Sequence, residues 1–189
     1  MNKLPKRPSN KSTQKGMTFL EVLVGLVILV TGILGAVAMQ ATAKQASFDA
    51  MQRSLASSLA QDIIARMRAN DVAVLADYEG VNYGAGSFTA SVPNRCNQVA
   101  VNCSPALMLA NDQYEWELAI MGGDVTAGID KKSVGGLVDG RGCIIGNGNS
   151  LSVVVSWQGR DEVKDSKKSD TCGTSGKKRR QVVIEAFII

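Results

Sequence analysis

The 189-residue chain is 45% hydrophobic and only 5% aromatic, with four cysteines and no histidine. This length supports one domain with a buried core. Without histidine the chain cannot carry a Ser-His-Asp or Cys-His catalytic pair or a His-ligated metal. Five basic residues and no acidic one lie within residues 1–16, and the remainder is nearly neutral. The formal charge of +4 therefore comes from a basic leader and does not indicate nucleic-acid binding.

An apolar segment follows this leader. Among residues 22–39 only Thr31 is polar, and none is charged. A helix of this length spans roughly 27 Å, close to the hydrocarbon thickness of a bilayer. Positive charge is concentrated before the segment, whereas Lys44 and Asp49 nearly cancel after it. This asymmetry predicts a cytoplasmic N-terminus and an exported chain held by one N-terminal span.

Three interpretations of the segment compete. A secretory signal would be cleaved near Ala36-Val37-Ala38, but the apolar run exceeds the usual ~7–15 residues. A plain signal anchor gives no reason for Glu21, because an ionised carboxylate beside the bilayer core needs a partner. Cleavage between Gly16 and Met17 would supply that partner, since it creates an α-amino group four residues before Glu21.

Residues 16–24, Gly-Met-Thr-Phe-Leu-Glu-Val-Leu-Val, are similar to the processing site of type IV pilins and type II secretion pseudopilins. The resemblance implies that a prepilin peptidase cleaves after Gly16 and methylates the new N-terminus at Met17. It also implies that Glu21, with Thr18, acts in assembly, where the carboxylate neutralises the terminal amine of a neighbouring subunit. Met17 stands where phenylalanine is commoner in the family.

Later segments look like those of the PilV-type minor pilins. The similar residues are Arg66-Met67-Arg68-Ala69-Asn70, Cys103-Ser104-Pro105-Ala106, Asp112, Trp116 and Ser156-Trp157. The resemblance implies a minor pilin, not an enzyme, that helps initiate pilus assembly with other minor pilins, the major pilin and a tip adhesin. It places the chain in the inner membrane before assembly, and in the periplasm and the pilus fibre at the cell surface afterwards.

The predicted fold is α+β and pilin-like, with a long N-terminal helix, hydrophobic in its first half, packed on a C-terminal antiparallel sheet. Residues 1–16 form the cleaved leader, 17–39 the membrane and assembly half of the helix, and 40–189 the periplasmic head. The helix continues over 40–69, which contain no proline or glycine. Apolar residues at spacings of three or four predict its buried stripe: Phe48, Met51, Leu55, Leu59, Ile63 and Met67.

Charged residues on this helix have simple interpretations. Asp49 with Arg53 and Asp62 with Arg66 are i,i+4 pairs in the favourable order. We interpret Arg66 and Arg68 as a solvated helix end that complements the helix dipole.

Local sequence signals predict the rest of the head. They indicate a loop and helix region over 71–123 and a sheet over about 141–189. One or two helical turns are predicted over 71–78 and a loop over 82–87. Ser104-Pro105 predicts a helix start and Gly122-Gly123 its end, although alternation over 114–120 also fits a strand. Three strands are predicted, over 142–145, 151–157 and 181–187. Asn147-Gly148 lies between the first two, in a hairpin loop longer than two residues.

Two charged groups in the head are predicted to be solvated. Acidic residues interleave with the basic ones of the loop after the second strand, so we expect neither DNA nor lipid binding there. These basic residues are Lys164, Lys167, Lys168 and 177–180, and the acidic ones are Asp161, Glu162, Asp165 and Asp170. Asp112, Glu115 and Glu117 are interpreted as acids on a helix surface.

The four cysteines lie in the exported part, where thiols oxidise, and allow three pairings. We favour Cys96–Cys103, which are close in the chain, and Cys143–Cys172, which would link the sheet to its long loop. A zinc site is the alternative, but no C-x-x-C spacing supports it. No cofactor, metal or catalytic residue is predicted.

The sequence alone leaves three other functions open. The nearest is a minor pseudopilin of type II secretion, whose N-terminal segment looks similar. Another is a signal-anchored periplasmic binding domain that never polymerises. A DNA-uptake pilin is the third, and the acid-interleaved loop supports it poorly.

Overall fold

The computed structural model describes residues 16–86, 95–96, 102–123, 125–130, 132–162 and 172–189. The chain forms two units, one ending at Gln45 and one comprising Ala46–Ile189. Helix α1 (Phe19–Ala69) contributes residues to both, and the second unit also contains a 3₁₀ helix (Val72–Tyr78) and helix α2 (Pro105–Met121). The strands are β1 (Gly80–Tyr83), β2 (Thr126–Ala127), β3 (Lys132–Ser133), β4 (Arg141–Asn147), β5 (Ser150–Gln158) and β6 (Arg179–Phe187).

The predicted α+β fold is confirmed: a long N-terminal helix packs, through its head half, on a four-stranded antiparallel sheet. The sheet has the order β1-β4-β5-β6, and β2 pairs with β3 in a separate two-stranded sheet. In the register of the larger sheet, Val153 lies between Ile144 and Ile184. All three predicted strands form, each extended by one or more residues.

The β4–β5 hairpin differs from its prediction. Asn147 pairs with Ser150, so the loop consists only of Gly148 and Asn149, and the expectation of a longer loop is wrong. Gly148 has a φ of +65°, which tight two-residue hairpins require and which glycine adopts without steric cost.

Strand β1 was not predicted, and the loop predicted from residue 82 is wrong for Asn82 and Tyr83. The strand pairs with β4, more than fifty residues later in the chain. The Tyr83 hydroxyl donates to the carbonyl of Tyr78 at 2.7 Å, and its ring meets Trp116 edge-on at 4.8 Å between centroids. Strand β4 and Trp116 are distant from β1 in sequence, so local patterning gives no signal for β1.

The core lies between the head half of α1, helix α2 and one face of the larger sheet. Leu59, Ile63 and Met67 are buried as predicted, whereas Met51 is 56% exposed, so the predicted stripe is wrong at that residue. The buried face instead follows a slightly rotated set: Gln52, Ala56, Leu59, Ala60, Ile63, Ile64 and Met67. Small alanines in this set suit the close approach of Trp116, whose Nε1 donates to the carbonyl of Leu59 at 2.8 Å.

Helix α2 begins and ends where its capping residues predict, which decides against the strand alternative. The Ser104 hydroxyl accepts the N–H of Leu107, and Pro105 is the first helical residue. Gly122 ends the helix in the left-handed region with a φ of +68°. A Cβ atom on Gly122 would lie 1.9 Å from the carbonyl carbon of Gly135, so backbone packing also requires glycine here.

Gly122→Ala is expected to destabilise the head by about 3 kcal/mol, because it combines left-handed strain with a backbone clash. Gly128→Ala is the matched control, since its φ is +78° but nothing lies within 4 Å of the added Cβ. The control isolates the left-handed strain, about 1 kcal/mol. Denaturant unfolding of the detergent-solubilised chain, followed by tryptophan fluorescence, measures both. Equal losses would show that the contact with Gly135 is unimportant.

Candidate assembly site

The start of helix α1 is closed by a reciprocal pair of hydrogen bonds. The Thr18 N–H donates to the Glu21 carboxylate at 2.8 Å, and the Glu21 N–H donates to the Thr18 hydroxyl at 3.3 Å. This arrangement is a capping box, in which residues three apart satisfy two otherwise unpaired N–H groups of the first turn. It explains why the helix begins at Phe19 and not at the predicted residue 17.

Gly16 and Met17 lie outside the helix, in backbone without regular structure, and both are exposed. The peptide bond between them therefore precedes the capping residue Thr18. Cleavage at this bond would leave a single residue, Met17, before the cap. Glu21 would then lie four residues from the new amine, as the sequence predicts.

The apolar half of α1 is exposed along its whole length. Large hydrophobic residues from Phe19 to Met39 have between 44% and 79% of their surface exposed. In the described part of the chain, α1 is the one helix long and apolar enough to cross a membrane. An apolar surface this large requires cover, either by lipid or by other apolar helices. Thr31 adds no free polar group, because its hydroxyl donates to the carbonyls of Val27 and Ile28.

The described head contains two disulfides. Cys96 is bonded to Cys103, and Cys143 is bonded to Cys172, which is the pairing favoured from the sequence. The second disulfide joins β4 to the segment before β6 and is buried with Val154. The Ser156 hydroxyl donates to the carbonyl of Cys172 at 2.8 Å, which fixes that segment to β5.

Arg66 is the centre of a polar network that links α1 to α2. Its guanidinium contacts Asp62 at 2.9 Å, Asp112 at 3.2 Å and Glu115 at 2.7 Å. The predicted Asp62–Arg66 pair is therefore present. The interpretation of Arg66 as a solvated helix end is wrong, because α2 packs against it, whereas Arg68 is exposed as expected.

Two of the acids assigned to a helix surface are buried. Asp112 is 4% exposed and accepts from the Tyr78 hydroxyl at 2.6 Å as well as from Arg66. Glu117 is fully buried and accepts the N–H groups of Gly84 and Gly86. The sequence interpretation failed because their partners lie about 30 to 50 residues away. The predicted Asp49–Arg53 pair is also replaced, since Asp49 contacts Arg180 at 3.9 Å.

Glu115 gives the network a pH dependence. Burial acts to raise the pKa of Glu115, but hydrogen bonds from Arg66 and Arg95 outweigh it and hold the pKa below its ordinary value of 4.5. A carboxyl with a lowered pKa stabilises the fold above its unfolded-state pKa, and this contribution is lost as the pH falls through the folded-state pKa.

Wild-type stability should therefore decrease below pH 4.5, and Glu115→Gln should make that decrease shallower. Denaturant unfolding between pH 3 and pH 7 measures the difference. Glu185→Gln is the matched control, because it makes the same substitution at an exposed glutamate outside the network. Parallel curves for wild type and Glu115→Gln would contradict the expectation.

Among the described residues, no group of three or more cysteine, aspartate or glutamate side chains is placed to hold a metal ion. The basic residues Lys164, Lys167 and Lys168, and the acidic Asp165 and Asp170, lie outside the described residues.

Residues 11–37 match the family model of the prokaryotic N-terminal methylation motif. Residues 38–114 match the family model of type IV pilin Tt1218. Comparison with curated proteins and with solved structures gives no significant match. The two matches are contiguous, and together with the fold they show that the chain belongs to the type IV pilin family. As a pilin with the methylation motif, it is processed by a prepilin peptidase and assembles with other pilins.

Proposed function

We propose that this pilin is a minor subunit that helps initiate a type IV pilus, together with other minor pilins, the major pilin and a tip adhesin. The observation that carries the proposal is a single carboxylate, Glu21, at the start of the exposed apolar half of α1, whose residues 22–39 carry no charge. Such a helix is suited to packing against other apolar helices, and one acid at its start is suited to setting their register.

In this proposal Glu21 exchanges partners during assembly. In the unprocessed chain its carboxylate accepts the Thr18 N–H. After cleavage the methylated amine of Met17 on a neighbouring subunit is a stronger partner, because it carries a full positive charge. Surrounding apolar helices exclude water, so correct pairing is favoured and a shifted register leaves two unpaired charges. Thr18 keeps the first turn capped through its hydroxyl.

Contacts within the head support assignment to the PilV-type branch. The segments that carry the resemblance meet in space: Arg66 contacts Asp112, and the Asn70 side chain donates to the carbonyl of Pro105 at 3.1 Å. Trp116 donates to the backbone of α1. The residues of these segments contact one another in the folded head. Their presence together in one sequence is therefore explained by the packing of α2 on α1.

We further propose that residues 17–39 hold the unassembled subunit in the inner membrane with the head in the periplasm. Two disulfides fit an oxidising compartment. After assembly the subunit would be part of the fibre at the cell surface.

Intact mass and N-terminal sequencing of the protein from its native host test the processing step. The mature chain is expected to begin at methylated Met17, and to retain the leader in cells without prepilin peptidase. A chain that begins near Ala38, or keeps the leader in normal cells, would instead indicate a secreted or signal-anchored binding domain.

Affinity purification of the mature chain tests the assignment to a pilus. Minor pilins, major pilin and the tip adhesin are expected to co-purify, and deletion of the protein should reduce surface piliation at least several-fold. Recovery of type II secretion components in their place would identify a pseudopilin.

A further inference from the structure

An open cavity of about 510 Å³ lies on the head where the end of β5 and the start of β6 approach helix α1. We call it the Arg160–Lys178 cavity, and its lining comprises Phe48, Val138, Gln158, Gly159, Arg160 and Lys178. A smaller cavity of about 130 Å³ shares Gln158 and Lys178 with it and adds the hydroxyls of Thr174 and Ser175. Asp139 and Arg179 also line the smaller cavity, where they contact each other at 2.9 Å. Apart from that ion pair, the two cavities present two cations, an amide and two hydroxyls.

Arg160 and Lys178 differ from the cations around them. Neither has an ion pair among the described residues, whereas each neighbouring cation contacts an acid. Arg179 contacts Asp139 at 2.9 Å, Arg180 contacts Asp49 at 3.9 Å and Lys177 contacts Glu162 at 4.0 Å. Among the described residues, the neighbouring acids Asp139, Asp49 and Glu162 therefore each contact a cation. Asp161 is exposed and does not line the cavity.

A backbone hydrogen bond joins the segments that carry Arg160 and Lys178, and the Arg160 side chain packs on an aromatic ring. The Gly159 N–H donates to the carbonyl of Lys178 at 2.8 Å, which joins the segments that carry them. The Arg160 guanidinium lies over the Phe48 ring, 4.7 Å from its centroid. A cation stacked in this way loses less conformational freedom when it binds an anion.

We propose that the Arg160–Lys178 cavity binds a phosphate group, carried by the headgroup of an anionic phospholipid. This proposal departs from the expectation, drawn from the sequence, that the basic residues 177–180 bind no lipid. Two cations with amide and hydroxyl donors match the charge and the several acceptor oxygens of a phosphodiester. Phe48 and Val138 give the cavity an apolar wall for the glycerol part of the lipid. Phe48 also follows Met39, the last residue of the apolar run, by only nine residues in sequence. Such binding would hold the head of an unassembled subunit at the membrane surface, and it does not depend on whether the pilin is minor or major.

Native mass spectrometry of the full chain in neutral detergent tests the proposal with short-chain phosphatidylglycerol as the probe. The double variant Arg160→Gln/Lys178→Gln should bind this lipid about thirty-fold more weakly than the wild type. Arg53→Gln/Arg68→Gln is the charge-matched control, because both residues are exposed, lie outside the cavity and have no ion pair among the described residues. It should change the affinity by less than about threefold, and added salt should weaken wild-type binding.

Two further probes distinguish the source of the phosphate. Short-chain phosphatidylcholine, whose headgroup has no net charge, should bind much more weakly than phosphatidylglycerol. If inorganic phosphate binds as tightly as the lipid and displaces it, the phosphate site is upheld and its ligand is the free anion. Equal binding of phosphatidylglycerol by wild type and by the folded Arg160/Lys178 variant, or no preference over phosphatidylcholine, would overturn the proposal.

Discussion

Glu21→Ala is expected to leave the pilin inserted in the membrane but reduce its incorporation into pili roughly a hundredfold. Without the carboxylate, the methylated amine of the neighbouring subunit would enter the apolar helix bundle unpaired. An unpaired charge at such a depth costs about 2.5–3.5 kcal/mol on insertion scales, which corresponds to this factor. Immunoblots of sheared pili against those of the membrane fraction measure the ratio.

Glu21→Gln separates the charge of Glu21 from its hydrogen bond. Glutamine retains an oxygen that can accept the Thr18 N–H, so the helix cap survives while the charge is lost. We expect it to assemble nearly as poorly as Glu21→Ala. Thr31→Val is the control within the same segment, because the Thr31 hydroxyl bonds only to its own helix among the described contacts. Normal incorporation of Glu21→Ala would refute the role of the charge, and normal incorporation of Glu21→Gln alone would assign Glu21 to capping.

Arg66→Met should destabilise the head by about 2–3 kcal/mol. The substitution leaves the Asp112 side chain, which is 5% exposed, without its cation, while the methionine keeps most of the apolar packing. Because the Arg66 side chain is itself 29% exposed, the expected loss is smaller than for a fully buried pair. Denaturant unfolding of the detergent-solubilised chain gives the change in free energy.

Arg68→Met is the matched control for this substitution. Arg68 lies two residues further along the same helix, is exposed and has no ion pair among the described residues, so its loss should be within about 0.5 kcal/mol. Arg66→Met/Asp112→Leu should be less destabilised than the sum of the single variants, because neither charge then remains buried alone. Additive losses, or similar losses for both arginines, would show that the network does not stabilise the head.

The elements predicted correctly from the sequence depend on local signals. The run of apolar residues from 22 to 39 and the absence of proline predict helix α1, and Ser104-Pro105 and Gly122 give the bounds of α2. The hairpin signal Asn147-Gly148 predicts β4 and β5, and the run Val182-Val183-Ile184 predicts β6. In each case the residues that determine the structure are neighbours in the chain, so the pattern is visible without knowledge of tertiary contacts.

The elements that could not be predicted depend on distant partners. A charged residue on a helix is usually solvated, and only the position of α2 shows that Arg66, Asp112 and Glu117 are not. Strand β1 exists because β4 accepts it as an edge partner. The capping box is different: the Thr18-x-x-Glu21 pattern is present in the sequence and is a known helix-start signal. Glu21 was interpreted only through its charge, so this second property was missed.

The Cys143–Cys172 disulfide bears on how the subunit withstands proteolysis. It closes a sequence separation of 29 residues that includes all of β5 and the connection towards β6. Any single peptide bond broken within that span leaves both fragments covalently joined, because the bridge encloses the break. Strand β6 would then remain attached to the sheet after nicking by a protease. Such a subunit can tolerate one cut in the connection between β5 and β6 without shedding its C-terminus.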